Sequence, residues 1–210
     1  MKMKEKMVKK LIVGLGNPGK EYENTRHNFG FEALDFFVSQ KNKQEGFDFP
    51  IEFFEESKFQ SLFGVFNVGD KKIFLAKPMT FMNLSGRAVR KIVDFYKIEK
   101  NDLLIVHDEF DLDLGIIRFS KSASSAGHRG VESVIKELGG NSFCRLRLGV
   151  KNAGFLEKTK MSTEKFVLEK FLAEEEDRRK NILENAGKAI EFFIEKGDEK
   201  MPQKFYRFEK

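Results

Sequence analysis

The run from Leu11 to Gly30, LIVGLGNPGKEYENTRHNFG, narrows what this chain can become. Leu11 to Leu15 is a short apolar segment bounded by turn residues, the signature of a buried strand. Glycine, asparagine and proline break it. A polar cluster follows, Asn24-Thr25-Arg26-His27-Asn28, where a helical period begins. A buried strand that hands polar side chains to a loop edge is how α/β folds assemble their sites. The other segments are therefore read around His27.

Val8 to Leu15 forms the first strand in this reading. Thr25 is placed to cap a helix carrying Phe29, Ala33, Leu34, Phe37 and Val38 on one face and ending near Lys41, with a polar loop to Gly46. Phe49 to Phe54 and Phe59 to Val68 read as strands, and Gly69-Asp70 turns the second into Lys72 to Lys77 as a hairpin. A helix is expected over Leu84 to Tyr96. Leu103 to Val106 is wholly apolar, hence a central strand, and ends in His107-Asp108-Glu109. Leu114 to Ser120 is a strand, Lys121 to Gly130 a small-residue loop, and Val131 to Leu138 a helix closed by Gly139-Gly140. Phe143 to Val150 is a further strand. Lys151 to Glu164 reads as polar and mobile, Phe166 to Phe171 as a short apolar segment. Glu174 to Lys196 is a long amphipathic helix with acid at its dipole-favoured start. Alternating strands and helices give an α/β layer architecture, made mixed by the hairpin.

The 210 residues suffice for one well-buried domain, and 40% hydrophobic content argues against disorder. A net charge of +5 admits an anionic partner without requiring one. The single cysteine, Cys144, excludes an internal disulfide framework and suits a reducing compartment. The basic start MKMKEKMVKK is followed by too short an apolar run for a signal peptide, and no run approaches the ~18 residues of a membrane span. A cytoplasmic protein without membrane association is expected.

Gly14-Leu15-Gly16-Asn17-Pro18-Gly19 satisfies G-x-G-x-x-G after a strand. A dinucleotide site needs the helix to begin inside that motif, whereas Pro18 forces Asn17 into extended angles and the helical period waits for Thr25. Asp35, at ribose-binding distance in sequence, falls in a helix. His27 is one of three histidines. It is either a structural residue or a general base that the helix dipole keeps neutral. Asp108 is either a turn residue or the carboxylate that orients a histidine tautomer. Strand alternation turns His107 to the other side from Asp108. The acidic run DEFDLDLG lacks the glycine and glutamate of a calcium loop, and no zinc-ligand spacing occurs, so no metal site is expected. Ser85 lies in NLSGRA, not in a nucleophile elbow, and Cys144 reads as a core thiol. The chemistry left is water activated by a base.

Taken together, LIVGLGNPGKEYENTRHNFG, KPMTFMNLSGRAV, LLIVHDEFDLDLGIIRFS, GHRGVESVIKELG and FCRLRLGV resemble the bacterial peptidyl-tRNA hydrolases in order and register over about Leu11 to Val150. The resemblance implies a single three-layer α/β/α domain spanning 1–210, with a mixed sheet flanked by helices and a flexible basic extension at 1–7. It implies a monomer without cofactor that cleaves the ester joining a peptide to tRNA. His27 falls on the family's base and Asp108 on the residue that orients it. Asn17 and Asn83 fall on residues that hold the peptide or the attacking water, Tyr22 on one that stacks near the nucleotide end, and Met82 on the peptide groove.

Such an ester is already activated, so a placed water, a neutral imidazole and amide donors suffice. The anionic acceptor stem and 3′ CCA end call for cations, for which Arg118, Lys121, Arg129, Arg145 and Arg147 are candidates. Two departures stand out. The family's G-H-N-G is here Gly127-His128-Arg129-Gly130, putting Arg129 where an asparagine contributes to binding substrate and positioning the water. Ser120 stands where a lysine is usual, with Lys121 beside it. A non-catalytic RNA-binding relative and a nucleotide-binding protein are the alternative readings.

Overall fold

The computed structural model describes residues 7–44 and 50–197, and the backbone of 204–207. One eight-stranded mixed sheet runs through it, in the order β2-β3-β4-β1-β5-β7-β6-β8. The strands are β1 (Val8–Gly14), β2 (Phe54–Glu56), β3 (Ser61–Val68), β4 (Lys71–Pro78), β5 (Leu103–Asp113), β6 (Ile116–Lys121), β7 (Cys144–Lys151) and β8 (Lys204–Arg207). The four central strands, β4-β1-β5-β7, are parallel, and antiparallel strands flank them on both sides. Among the described residues six helices accompany them: α1 (Phe29–Lys41), α2 (Ser85–Tyr96), α3 (Arg129–Leu138), α4 (Ala153–Thr159), α5 (Thr163–Phe166) and α6 (Glu176–Lys196).

Both faces of the sheet are covered, which explains why the central strands are apolar at successive positions. Leu104 and Val106 of β5 face the cluster that holds Phe29, Leu34, Ile190 and Phe193 of α1 and α6. Leu103 and Ile105 face the cluster of Val89, Ile92, Val131 and Val134 on α2 and α3. Each such side chain, fully buried, contributes about 1.5–3 kcal/mol of transfer free energy. The result is the three-layer α/β/α fold expected from the sequence.

Two close approaches set the position of α1. A Cβ on Gly30 would overlap the Val106 carbonyl oxygen and the Leu15 backbone, and one on Gly14 would overlap the Gly30 carbonyl. Only glycine at both positions lets the first turn of α1 lie against the ends of β1 and β5. From β1 the chain moves to β4 on one side and later to β5 on the other. The crevice at such a reversal, beyond the carboxyl ends of parallel strands, is where open α/β sheets build sites.

Several expectations need correction. β5 does not stop at Val106. Arg147, Leu148 and Gly149 of β7 pair with His107, Asp108 and Glu109, so the strand carries its polar residues inside the sheet. Residues 57–59 form a 3-10 turn, and β3 starts at Ser61 after Gln60 at φ 51°. Only Phe54–Glu56 of the Phe49 to Phe54 region is strand, and residues 45–49 lie outside the described residues. Thr25 precedes a 3-10 turn over Arg26–Asn28 and does not cap it. Its hydroxyl donates to the Tyr22 carbonyl at 2.8 Å. The segment from Lys151 to Glu164 contains α4, capped by Asn152, whose Oδ1 accepts from the Phe155 N–H, and the start of α5. Beyond the long last helix, Lys204–Arg207 adds β8 along β6. Of the N-terminal extension 1–7, residues 1–6 lie outside the described residues, as do 198–203 and 208–210.

Candidate active site

His27 sits in the 3-10 turn just before α1, and Asp108 in β5 where it passes the end of β1. The glycine contact between α1 and the sheet brings them together. His27 Nδ1 lies 3.0 and 3.1 Å from the two carboxylate oxygens of Asp108. Asp108 is buried, and 12% of the His27 side chain remains exposed. Because a carboxylate only accepts, Nδ1 carries the hydrogen and Nε2 holds a lone pair. The two side chains that were expected to form a base and its orienting group do meet.

A second imidazole meets the same carboxylate. His128 Nε2 lies 2.9 Å from Asp108 Oδ1. Its Nδ1 accepts the backbone N–H groups of Gly130 and Val131 at 3.1 and 3.3 Å, so His128 caps α3. Those backbone donors fix its tautomer: Nδ1 is unprotonated and Nε2–H donates to Asp108. Sequence reading did not single out His128. The available signal was a histidine immediately ahead of a helical period, in a chain with only three.

His27, Asp108 and His128 also have the ligand types and proximity of a metal site, with their ligand atoms within 4.8 Å of one another. The tautomers oppose this use. Nδ1 of His27 and Nε2 of His128 both spend their hydrogens on Asp108, and His128 can release a lone pair at Nε2 only by losing its cap on α3. The cluster is a hydrogen-bonded triad with the carboxylate at its centre.

The electrostatics follow from this arrangement. Burial raises the Asp108 carboxyl, but His27 and His128 together outweigh it and hold it well below the usual carboxylate range. Burial lowers His27, the charge and hydrogen bond of Asp108 raise it, and Arg129 lowers it, with a net result above the ordinary 6.5. The direction is opposite to the lowering expected from the helix dipole, because the Asp108 carboxylate favours the protonated ring. His107 is fully buried beside His128, its ring 4.7 Å away, and burial, followed by the neighbouring His128 ring and the Arg145 guanidinium, pushes it well below 6.5. It stays neutral, and its Nδ1 bonds to the Asp108 carbonyl at 2.6 Å.

A groove of about 650 Å³ opens over this triad. Asn17, Tyr22, His27, Met82, Asn83, Asp108 and Arg129 all line it. Asn17 is locked in place. Its backbone exchanges two hydrogen bonds with the Asn28 side chain at 2.8 and 2.9 Å, and its Oδ1 accepts from Met82 N–H at 2.8 Å. That fixes the carboxamide so that its NH2 is the end left to donate. Tyr22 meets Phe81 edge to face at 6.4 Å, and Phe81 is largely exposed on the groove rim. Met82 is buried behind the groove floor, against Gly130, where a Cβ would overlap its sulfur.

Outside the groove, Arg118 of β6 and Arg147 of β7 are cross-strand partners, as are Ser120 and Arg145. Arg145 is buried at 2% exposure, and Arg147 bonds Glu109 at 2.8 Å. Arg118 is half-buried with its Nε unpaired among the described residues, and Lys121 is exposed.

The family model for peptidyl-tRNA hydrolase matches residues 11–210. The chain belongs to the peptidyl-tRNA hydrolase family. A peptidyl-tRNA hydrolase of Bacillus cytotoxicus is 41% identical over 187 residues, covering 89% of this chain and 94% of the relative. One from Lachnoclostridium phytofermentans is 36% identical, with 89% and 91% covered. The crystal structure of peptidyl-tRNA hydrolase from Acinetobacter baumannii superposes with a TM-score of 0.76 at 32% identity, covering 88% of each chain. No helix among the described residues is long and apolar enough to cross a membrane. The glycines of the G-x-G-x-x-G match do not open a helix. They precede a 3-10 turn at Lys20–Tyr22, and α1 begins only at Phe29.

Proposed function

We propose that this chain hydrolyses the ester between a peptide and the 3′-terminal ribose of tRNA, with His27 as the base. The observation that carries the mechanism is the 3.0 Å contact of His27 Nδ1 with buried Asp108 beneath an open groove. Nε2 takes a proton from water as the water oxygen attacks the ester carbonyl. The Asn17 NH2, and that of Asn83 beside it, donate to the developing oxyanion or hold the water. The tetrahedral intermediate then collapses, the C–O bond to ribose breaks, and Nε2–H returns its proton to the departing ribose oxygen. Asp108 holds the Nδ1–H tautomer throughout and offsets the imidazolium charge.

Tyr22 and Phe81 offer ring faces to the CCA end, and Met82 shapes the peptide side. Arg129 at the groove, with Arg118 and Lys121 beyond it, supplies cations for the acceptor stem. Arg145 and Arg147 contribute field to this patch, one being buried and the other held by Glu109. The triad's tautomers support a reaction without metal or cofactor. Residues 1–210 are taken to act as one domain and as a monomer, in the cytoplasm where the substrate occurs.

Release of peptide from purified peptidyl-tRNA tests this. His27→Ala should fold and lose turnover, and wild-type rates would reject His27 as base. Asp108→Asn should lower kcat far more than it changes KM, because an amide at that position disturbs the tautomer.

A further inference from the structure

Arg26, beside the base, has no contact with the groove. It is fully buried, and its Nη2 bonds Oε2 of buried Glu175 at 2.5 Å. Its Nη1 donates to the carbonyls of Glu169 and Lys170. The guanidinium lies 4.4 Å from the Phe166 ring centroid, 5.0 Å from Phe171 and 5.8 Å from Phe155. Every one of these partners lies between residues 155 and 175, well over a hundred positions along the chain.

The same segment forms one wall of the groove through Thr163, Glu164, Val167 and Leu168. It also grips the backbone of the base. The Arg26 N–H donates to the Glu169 carbonyl at 3.0 Å and the His27 N–H to the Val167 carbonyl at 2.7 Å. Glu175 in turn accepts three donors: Arg26, the Leu172 N–H at 2.7 Å and the Asn152 side chain at 2.7 Å. The last ties in the cap of α4. Removing charge from one partner of a buried pair leaves the other uncompensated, so the arrangement has little tolerance.

We propose that Glu175 is a positioning residue for hydrolysis, acting through Arg26 to fix the distance between His27 and Asp108 and to join it to the groove wall. It touches neither substrate nor reacting atoms. The proposal rests on His27 being the base. A displacement of the turn that carries His27 misaligns Nε2 with the water, and misplacement on the ångström scale can reduce rate by up to about a hundredfold.

Glu175→Gln is the informative variant, because one amide oxygen cannot accept what two carboxylate oxygens accept, while volume is kept. On the full chain, kcat for peptidyl-tRNA should fall at least tenfold with KM within twofold. The titration of the His27 ring, followed through its Cε1 proton by NMR, should move toward the ordinary histidine value as its contact with Asp108 loosens. A purely structural role would change the melting temperature and leave both readouts of the folded protein intact, and that result would overturn the proposal. Should Glu175→Gln not fold, Asn152→Ser decides. It keeps a cap on α4 but loses the bond to Glu175, and wild-type kcat with an unmoved His27 titration would again overturn the proposal. His27→Ala run in parallel separates the two ideas: turnover surviving there sinks the base assignment, whereas its loss beside an intact Glu175→Gln sinks only the positioning role.

Discussion

His128→Asn separates the two tasks of one side chain. Asparagine is among the best helix caps, so the Gly130 and Val131 N–H groups keep an acceptor. It is too short to reach Asp108 as well, so the 2.9 Å bond to Oδ1 is lost. A hydrogen bond to a charged group contributes about 1.5–3 kcal/mol, and Asp108 is buried, so water does not replace the donor readily. If about half of that loss appears in the barrier, through a carboxylate free to rotate away from His27, kcat falls between about fourfold and about thirteenfold. KM should stay within twofold, because His128 spends both nitrogens inside the protein. His128→Ala loses the cap too and should be less stable than His128→Asn by about 1 kcal/mol. Single-turnover hydrolysis of peptidyl-tRNA gives the rate, and thermal melts give the stability. A His128→Asn enzyme with wild-type kcat would show that His27 alone orients Asp108 and that His128 is only a cap.

Because the His27 pKa is raised, the proposal that its neutral ring is the base requires kcat/KM to climb with pH through a limb lying above 6.5, and a limb at or below that value contradicts the assigned carboxylate partner. Arg129 lowers His27, so Arg129→Asn should carry the limb to higher pH while reducing the slope of log KM against log salt by about one; an unmoved limb would mean the guanidinium points away from the ring. Arg118→Ala should weaken tRNA binding in the same salt-dependent way with kcat unchanged, read from KM at two ionic strengths. Gly130→Ala places a methyl against the Met82 sulfur, so melts should show about 1–3 kcal/mol of destabilisation together with slower turnover from the displaced 82–84 turn.

The first strand, the Gly69-Asp70 hairpin, the glycine end of α3 and the long last helix were legible because each is written in local chemistry: an apolar run, a turn pair, a residue with positive φ, a helical period. β5 was cut short because its polar half carries the site, and hydrophobicity says nothing of pairing supplied by β7. His27 and Asp108 could be nominated from their places beside buried strands. His128 could not, because an imidazole is a rare cap and its second partner lies 20 residues back. Arg26 reads as one more polar residue of the site cluster, yet it is among the most deeply buried side chains, and its ion-pair partner lies 149 residues away. The helices within Lys151 to Glu164 were missed for a related reason. Their sequence is polar, and their order comes from Asn152 and the buried ion pair it touches.

Asp108, His27 and His128 reside on β5, on the turn after β1 and at the start of α3, and they meet only once the β1–β5 pairing, the glycine contact above it and the grip of residues 155–175 on Arg26 and His27 are all complete. A partly ordered chain, however helical, is therefore inert. During refolding, the recovery of turnover should trail circular dichroism, making hydrolysis a stringent reporter of when the last long-range strand contacts close.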